Sequence, residues 1–318
     1  MRHALPADLP RDRAFDVVGL GENSVDQIAV LERYPAPGGK VRIVHQERQG
    51  GGQVATAMVA CRRLGLRAAY LGKVGDDEPG VLSRASLAAE GVDVSGLFTE
   101  PGARSRFAIV LIDRASGDRT VLYDQDSRLA LRADELDAAR VTAARVLHVD
   151  ATDLPSAIEA ARLARGSGMP VVIDVDQAAR GVEELVRLAS ACIVPGELAC
   201  TLAGTSDRPR ALRALASRTD GFCCITLGAD GCAALVDGEV LALPAYSVEA
   251  VDTTACGDVF HAGFIAGLLR GLDAPSCLRY AQAAAAMKAR ALGGRPGIPR
   301  HDDVLAFLAE RSERLTLR

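Results

Sequence analysis

Arg145-Val-Leu-His-Val149, then Leu154-Pro-Ser-Ala-Ile-Glu-Ala-Ala-Arg-Leu-Ala-Arg-Gly-Ser167, then Pro170-Val-Val-Ile-Asp174: these three stretches decide the fold. The first and third are apolar runs of strand length, and the middle one repeats Ala, Ile and Leu at helical spacing. The alternation continues, with strands expected at 191–194 and 222–227 and helices at 182–190 and 208–219. Strands alternating with helices build βαβ units, and these give a mostly parallel sheet covered by helices on both faces.

Working outward, Phe15-Asp-Val-Val-Gly-Leu-Gly21 reads as a buried strand ending in glycines. Val54–Leu64 reads as a helix stopped by Gly65, Ala68–Gly72 as a strand, and Glu78–Glu90 as a helix stopped by Gly91. Toward the other end, Cys232–Val236 and Val240–Leu243 flank Asp237-Gly238, a hairpin signal. Helices follow near 257–270, 275–291 and 302–311. Two β-rich excursions, near 28–45 and 106–123, interrupt the pattern, the second turning at Ser116-Gly117. The expectation is a single αβα domain over 15–312, with a mostly parallel central sheet and a small β lid from the two excursions.

Composition narrows the function. A chain of 318 residues with 49% hydrophobic side chains can bury the core of one large domain. Lys plus Arg number 37 against 41 Asp plus Glu, there is no Trp, and no basic run occurs. Nucleic acid and membrane are therefore not expected partners, and no apolar run approaches the ~20 residues needed to span a bilayer. Residues 1–14 mix charges with prolines and read as a frayed tail, not a signal peptide. The eight cysteines form no Cys-x-x-Cys pair and have no His at metal-finger spacing. Most lie in apolar runs as small hydrophobes, so a reduced, cytoplasmic setting is expected.

Three segments carry candidate chemistry. In Val251-Asp-Thr-Thr-Ala-Cys-Gly-Asp258, small residues stand where an apolar helix begins, so the amides of Ala255, Cys256 and Gly257 are expected to point outward and favour an anion. Asp258 in the same turn reads either as a helix-start cap or as a proton acceptor for a hydroxyl. Cys256, a thiol at a helix start, is expected to be acidic and open to oxidants. Gly50-Gly-Gly52 runs into the helix at 54, either as a flexible connection or as a place where a ligand meets backbone. Gly19-Leu-Gly-Glu-Asn-Ser24 departs from a dinucleotide fingerprint at Ser24, while Asp26 beyond the first strand lies where open α/β sheets bind ligands. Lys40, in the Gly38-Gly-Lys turn, reads as a solvated charge, His261 as a packed histidine or a substrate contact, and Asp174 and Asp176, at a strand end, as solvated loop carboxylates or as residues of the sheet's ligand edge.

Asp252-Thr-Thr-Ala-Cys-Gly-Asp258 closely resembles the C-terminal signature of the PfkB/ribokinase family of carbohydrate kinases. Gly51-Gly52 resembles that family's N-terminal signature, and Thr226-Leu-Gly-Ala-Asp-Gly231 its nucleotide loop. The resemblance runs from about residue 15 to 310 and implies a ribokinase-like αβα sandwich that transfers phosphate from ATP, with Mg2+, to a hydroxyl of a small sugar or sugar derivative. It implies Asp258 as the base and Ala255, Cys256 and Gly257 as the anion hole. Asp26, Gly51, Gly52, Thr56 and Lys40 would face the sugar. Thr226, Gly228, Gly231, Ala283 and Met287 would line the ATP site. Asp252 matches a position associated with monovalent cations, so K+ is implied, and Glu197 is the nearest candidate for handling Mg2+. The Gly50 cluster and Gly293-Gly-Arg-Pro-Gly-Ile-Pro299 look most like the ketohexokinase and sulfofructose-kinase branch, and lids of this kind suggest a homodimer. The alternatives are a nucleoside kinase on the same fold, a sugar-binding regulator that has lost catalysis and, more remotely, a dinucleotide oxidoreductase.

Overall fold

The computed structural model describes residues 3–116 and 119–318. The first half of the chain runs β1 (Phe15–Leu20), β2 (Ser24–Leu31), β3 (Ile43–Gly51), α1 (Gln53–Arg63), β4 (Ala68–Gly75), α2 (Glu78–Ala89), β5 (Asp93–Glu100), β6 (Phe107–Asp113) and β7 (Arg119–Asp124). The second half runs α3 (Ala138–Val141), β8 (Ala144–Asp150), α4 (Leu154–Gly166), β9 (Val171–Asp174), α5 (Val182–Leu188), β10 (Ala191–Pro195), α6 (Gly196–Ala203), α7 (Arg208–Ala216), β11 (Phe222–Thr226), β12 (Cys232–Val236) and β13 (Glu239–Leu243). It closes with α8 (Cys256–Leu269), α9 (Ala274–Lys288) and α10 (His301–Ala309).

Nine strands form one sheet in the order β13-β12-β11-β10-β9-β8-β1-β4-β5, parallel except where β12 meets β11 and β13. Each inner strand is apolar on both sides because helices cover both faces. On one face α1, α8 and α9 pack over Val17, Val146 and Phe222, and on the other α4, α5 and α7 pack over Val18, Leu147 and Ile173. Small residues let α8 and α9 approach closely: a Cβ on Gly263 would stand 2.7 Å from the Ala281 Cα.

The two β excursions pair into a second, four-stranded sheet, β3-β2-β6-β7. The first excursion is longer than expected, β2 starting at Ser24 and β3 ending at Gly51. Gly117 and Asp118, in the expected turn between β6 and β7, lie outside the described residues. The leading segment is not frayed along its described length. Leu5 and Leu9 pack against the core, His3 donates its amide to Asp220 O, and Arg145 Nε donates to Pro10 O.

Parallel strands put their carboxyl ends on one edge. The order reverses at β1, between β8 and β4, and the crevice outside such a reversal is where open α/β sheets hold ligands. Leu20 leads to Glu22 there, β8 ends at Asp150 and β9 at Asp174, with Asp150 and Asp174 in register.

Candidate active site

A cavity of about 690 Å³ opens at that edge, between the large sheet and the inner face of the small one. Its wall includes Asp26, Gly51, Gly52, Thr56, Ala255, Gly257 and Asp258, seven of the residues singled out from sequence.

The turn before α8 is built by a left-handed residue. Ala255 sits at φ 64°, a conformation that costs a non-glycine residue roughly 1–2 kcal/mol. It turns the chain sharply into α8, and no side chain caps the helix. Of the three expected anion-hole residues, Cys256 does not serve. Its amide donates to Thr253 O at 3.2 Å, and its thiol turns away from the cavity onto Ala285 O at 3.6 Å. Burial pushes that thiol up to about 11, the reverse of the acidity expected at a helix start. Ala255 and Gly257 remain on the cavity wall, and the space beside the Gly257 Cα is open.

Asp258 faces the cavity from the first turn of α8. Its pKa is raised well above the carboxylate range, first by burial and then by the negative charges of Asp174, Glu22, Asp150 and Asp176. Such a carboxyl holds its proton more tightly than a free one and, once ionised, is the stronger base. Behind it, His261 is buried, with Nδ1 2.8 Å from Gly257 O, Nε2 3.1 Å from Ile193 O and Asp174 Oδ2 3.4 Å away. It braces the helix start and lies off the cavity wall, as a packed histidine does. Asp174 is equally buried and not a solvated loop residue, while Asp176 lines the cavity.

The opposite wall is set by close packing. Ser24 donates its hydroxyl to Asp26 Oδ1 at 2.7 Å, and burial raises the Asp26 pKa against the pull of Ser24 and Arg295. A Cβ on Gly51 would lie 2.1 Å from Asp26 Oδ2, so only glycine leaves room for that carboxylate. Gly52, at φ 87°, makes the turn into α1. The α1 amides are partly taken: Gln53 donates to Glu22 Oε2 and Ala55 to Glu22 O. Thr56 is buried, and its hydroxyl accepts from Arg295 Nε at 3.4 Å.

Other expected residues fall elsewhere. Lys40 is exposed and off the cavity wall. Glu197 is exposed on α6, also off the wall of this cavity. Thr226 ends β11, and Gly228 and Gly231 (φ 58° and 100°) shape the turn after it. This turn lies at the same sheet edge, outside the cavity. Ala283 is fully buried in the core, and Met287, one turn on, is half-buried. Both Asp252 carboxylate oxygens accept hydrogen bonds, from Thr254 and Gly293.

Sequence reading missed Glu22, Asp150, Arg106 and Arg119. The two carboxylates had a signal, since each follows or ends a strand at the carboxyl edge. The arginines had none. Arg106 is buried on the cavity wall and paired with Asp153 at 2.7 Å, and Arg119 reaches across from β7 to Thr253.

The chain matches the family described as "pfkB family carbohydrate kinase" over residues 14–300. It belongs to that family. An ATP-dependent ribose-1-phosphate kinase from Halopiger xanaduensis is 30% identical over 93% of this chain and 98% of its own. The ribokinase of Haemophilus influenzae is 28% identical over 91% and 97%. A candidate ribokinase from Agrobacterium tumefaciens has a crystal structure that superposes with a TM-score of 0.89, at 29% identity, over 94% of this chain and 99% of that one. The nine-stranded αβα architecture is therefore the ribokinase-like fold, and the protein is a carbohydrate kinase. Among the described residues, no helix is long and apolar enough to cross a membrane.

Proposed function

We propose that this kinase transfers the terminal phosphoryl group of ATP to a hydroxyl of a small sugar or sugar derivative bound between Asp26 and Asp258. One observation carries the reading: Asp26, Asp258 and the Ala255–Gly257 turn share a single cavity. Asp26 accepts hydrogen bonds from sugar hydroxyls and fixes which one faces Asp258. Asp258 takes that hydroxyl's proton as the oxygen attacks phosphorus. The Ala255 and Gly257 amides, at the positive end of α8, stabilise charge on the transferring group. Phosphoryl transfer needs alignment and charge stabilisation more than covalent help, and a rigid helix start supplies both.

Mg2+ would be held chiefly by the nucleotide phosphates and would supply neutralisation of their charge. Asp176, on the same cavity wall as Asp258, is the carboxylate that would face such an ion. The turn at Thr226–Gly231, beside the cavity, is the proposed nucleotide platform. The small sheet is the proposed lid, excluding water as a rival acceptor. Its outer face carries Ile109 beside Leu122, both exposed and in register, which supports pairing of two copies there.

The test is an ADP-release screen with Mg-ATP. Pentoses and ketohexoses form the first panel, because the named relatives act on ribose compounds while the glycine clusters resemble the ketohexokinase branch. Sugar acids and sugar phosphates form the second, because Arg106 and Arg119 stand on the same wall. Nucleosides form the third. No ADP release above the ATP-only rate across all panels, or release with Asp258→Asn at the parental rate, would count against the proposal.

A further inference from the structure

The family resemblance associates Asp252 with a monovalent cation, and the atoms around Asp252 do not fit one. Oδ1 accepts the Thr254 amide at 2.8 Å and the Thr254 hydroxyl at 2.7 Å, and Oδ2 accepts the Gly293 amide at 2.8 Å. The Asp252 carbonyl accepts the Lys288 ammonium at 2.9 Å. Lys288 is fully buried, a state lysine adopts only when its charge is met. Hard cations need several oxygen ligands turned toward them. Here the oxygens already face donors, and an added ion would sit against a buried ammonium of like charge.

We infer that Lys288 is the resident monovalent cation of this site: its ammonium, fixed on the Asp252 carbonyl at the end of α9, holds the 252–257 turn in place of K+ and makes the kinase independent of alkali cations. Lys288 closes α9, where the last carbonyls favour positive charge. The next residue, Ala289, accepts the Val251 and Asp252 amides at 2.8 and 3.1 Å. The end of α9 and the turn before α8 are thus one fastened unit, and that turn carries the Ala255 and Gly257 amides and Asp258. Burial works against the ammonium and lowers the Lys288 pKa; Asp252 and Asp258 attract it, Arg119 opposes them, and the Cys256 thiol beside it stays neutral. Without the ammonium, the buried Asp252 carboxylate loses its counter-charge and the turn is free to shift. Lys288 does not line the cavity, so its role is positioning.

The inference rests on the catalytic reading of the α8 turn, and a thermal readout separates the two. Kinetics and melting are measured in tetramethylammonium chloride and again with KCl at equal ionic strength. The parent should show less than about a twofold change in kcat and no shift in Tm, since a ligand that does not bind the native state does not stabilise it. Lys288→Ala should lose at least about tenfold in kcat, as small misplacements of reacting groups do. Its lowered Tm should rise in KCl as the vacated space admits K+. Lys288→Met fills the space without charge, and should lose kcat and respond to neither salt. A parent whose kcat rises severalfold in KCl overturns the inference, as does Lys288→Met with parental kcat. If Lys288→Ala does not fold, those two measurements still decide. Parental turnover in Asp258→Asn would sink the catalytic reading alone, leaving the KCl shift of Lys288→Ala to report on the cation.

Discussion

Arg119 Nη1 on β7 donates to Thr253 Oγ1 at 2.9 Å, so the small sheet is fastened to the turn that delivers Asp258. The bond crosses the cavity mouth from a strand whose residues are all exposed. Arg119→Ala should release the lid with little effect on Tm, because the side chain buries almost nothing. Hydrogen exchange in 107–113 and 119–124 should quicken, and the acceptor KM should rise about tenfold, the worth of one charge-assisted hydrogen bond. ATP hydrolysis without transfer should grow relative to sugar phosphorylation. Unchanged exchange and an unchanged hydrolysis ratio would mean that the contact does not hold a lid.

Asp258→Asn should lower kcat by about 10²–10⁴, the usual loss for a general base. The same change should stabilise the protein near neutral pH. The folded pKa of Asp258 is raised, by burial and then by Asp174, Glu22, Asp150 and Asp176. For such a group, stability is full below the unfolded value of 3.8 and is lost as pH rises through the folded value. The Tm gap between variant and parent should therefore be near zero at about pH 4 and widen toward neutrality. A gap that narrows as pH rises would show that Asp258 is stabilised as a carboxylate.

Asp26→Ala should raise the acceptor KM by about 10- to 100-fold while leaving the ATP KM nearly unchanged, since it removes a half-buried carboxylate acceptor. Gly51→Ala should mimic it from the other side, because the new Cβ would displace the Asp26 carboxylate, and should cost about 1–3 kcal/mol in stability as overpacking does. Equal effects on both substrates would remove Asp26 from the sugar side.

Thiol reagents should leave activity intact at neutral pH. Cys256 points at Ala285 O, and burial pushes its pKa up to about 11, so little thiolate forms. Cys256→Ala should keep near-parental kcat. Rapid inactivation of the parent, abolished in that variant, would show that the thiol reaches the cavity.

The large sheet was legible because its strands are buried on both faces and spell themselves as apolar runs. Three elements were not, the four-residue α3 among them. In β5, Ser95-Gly96 interrupts the apolar run and the ladder to β4 is irregular, while α6 is a short helix entered directly from Pro195. At the site, Asp26 and Asp258 were readable from position, at a strand end and a helix start. The directions of side chains were not readable. Cys256 and Gly257 are adjacent, yet one faces α9 and the other the cavity, because the left-handed Ala255 sets the rotation of the first turn. Lys288 had no signal at all, since a lysine at a helix end ordinarily reads as a surface cation.

The turn at Ala255 leaves α8 without a side-chain cap, and of its opening amides that of Cys256 is met by Thr253 O. A bound phosphoryl group would finish the helix as an N-cap side chain does elsewhere. Heat resistance then becomes a property of the solution as much as of the chain, rising with the concentration of any small tetrahedral anion.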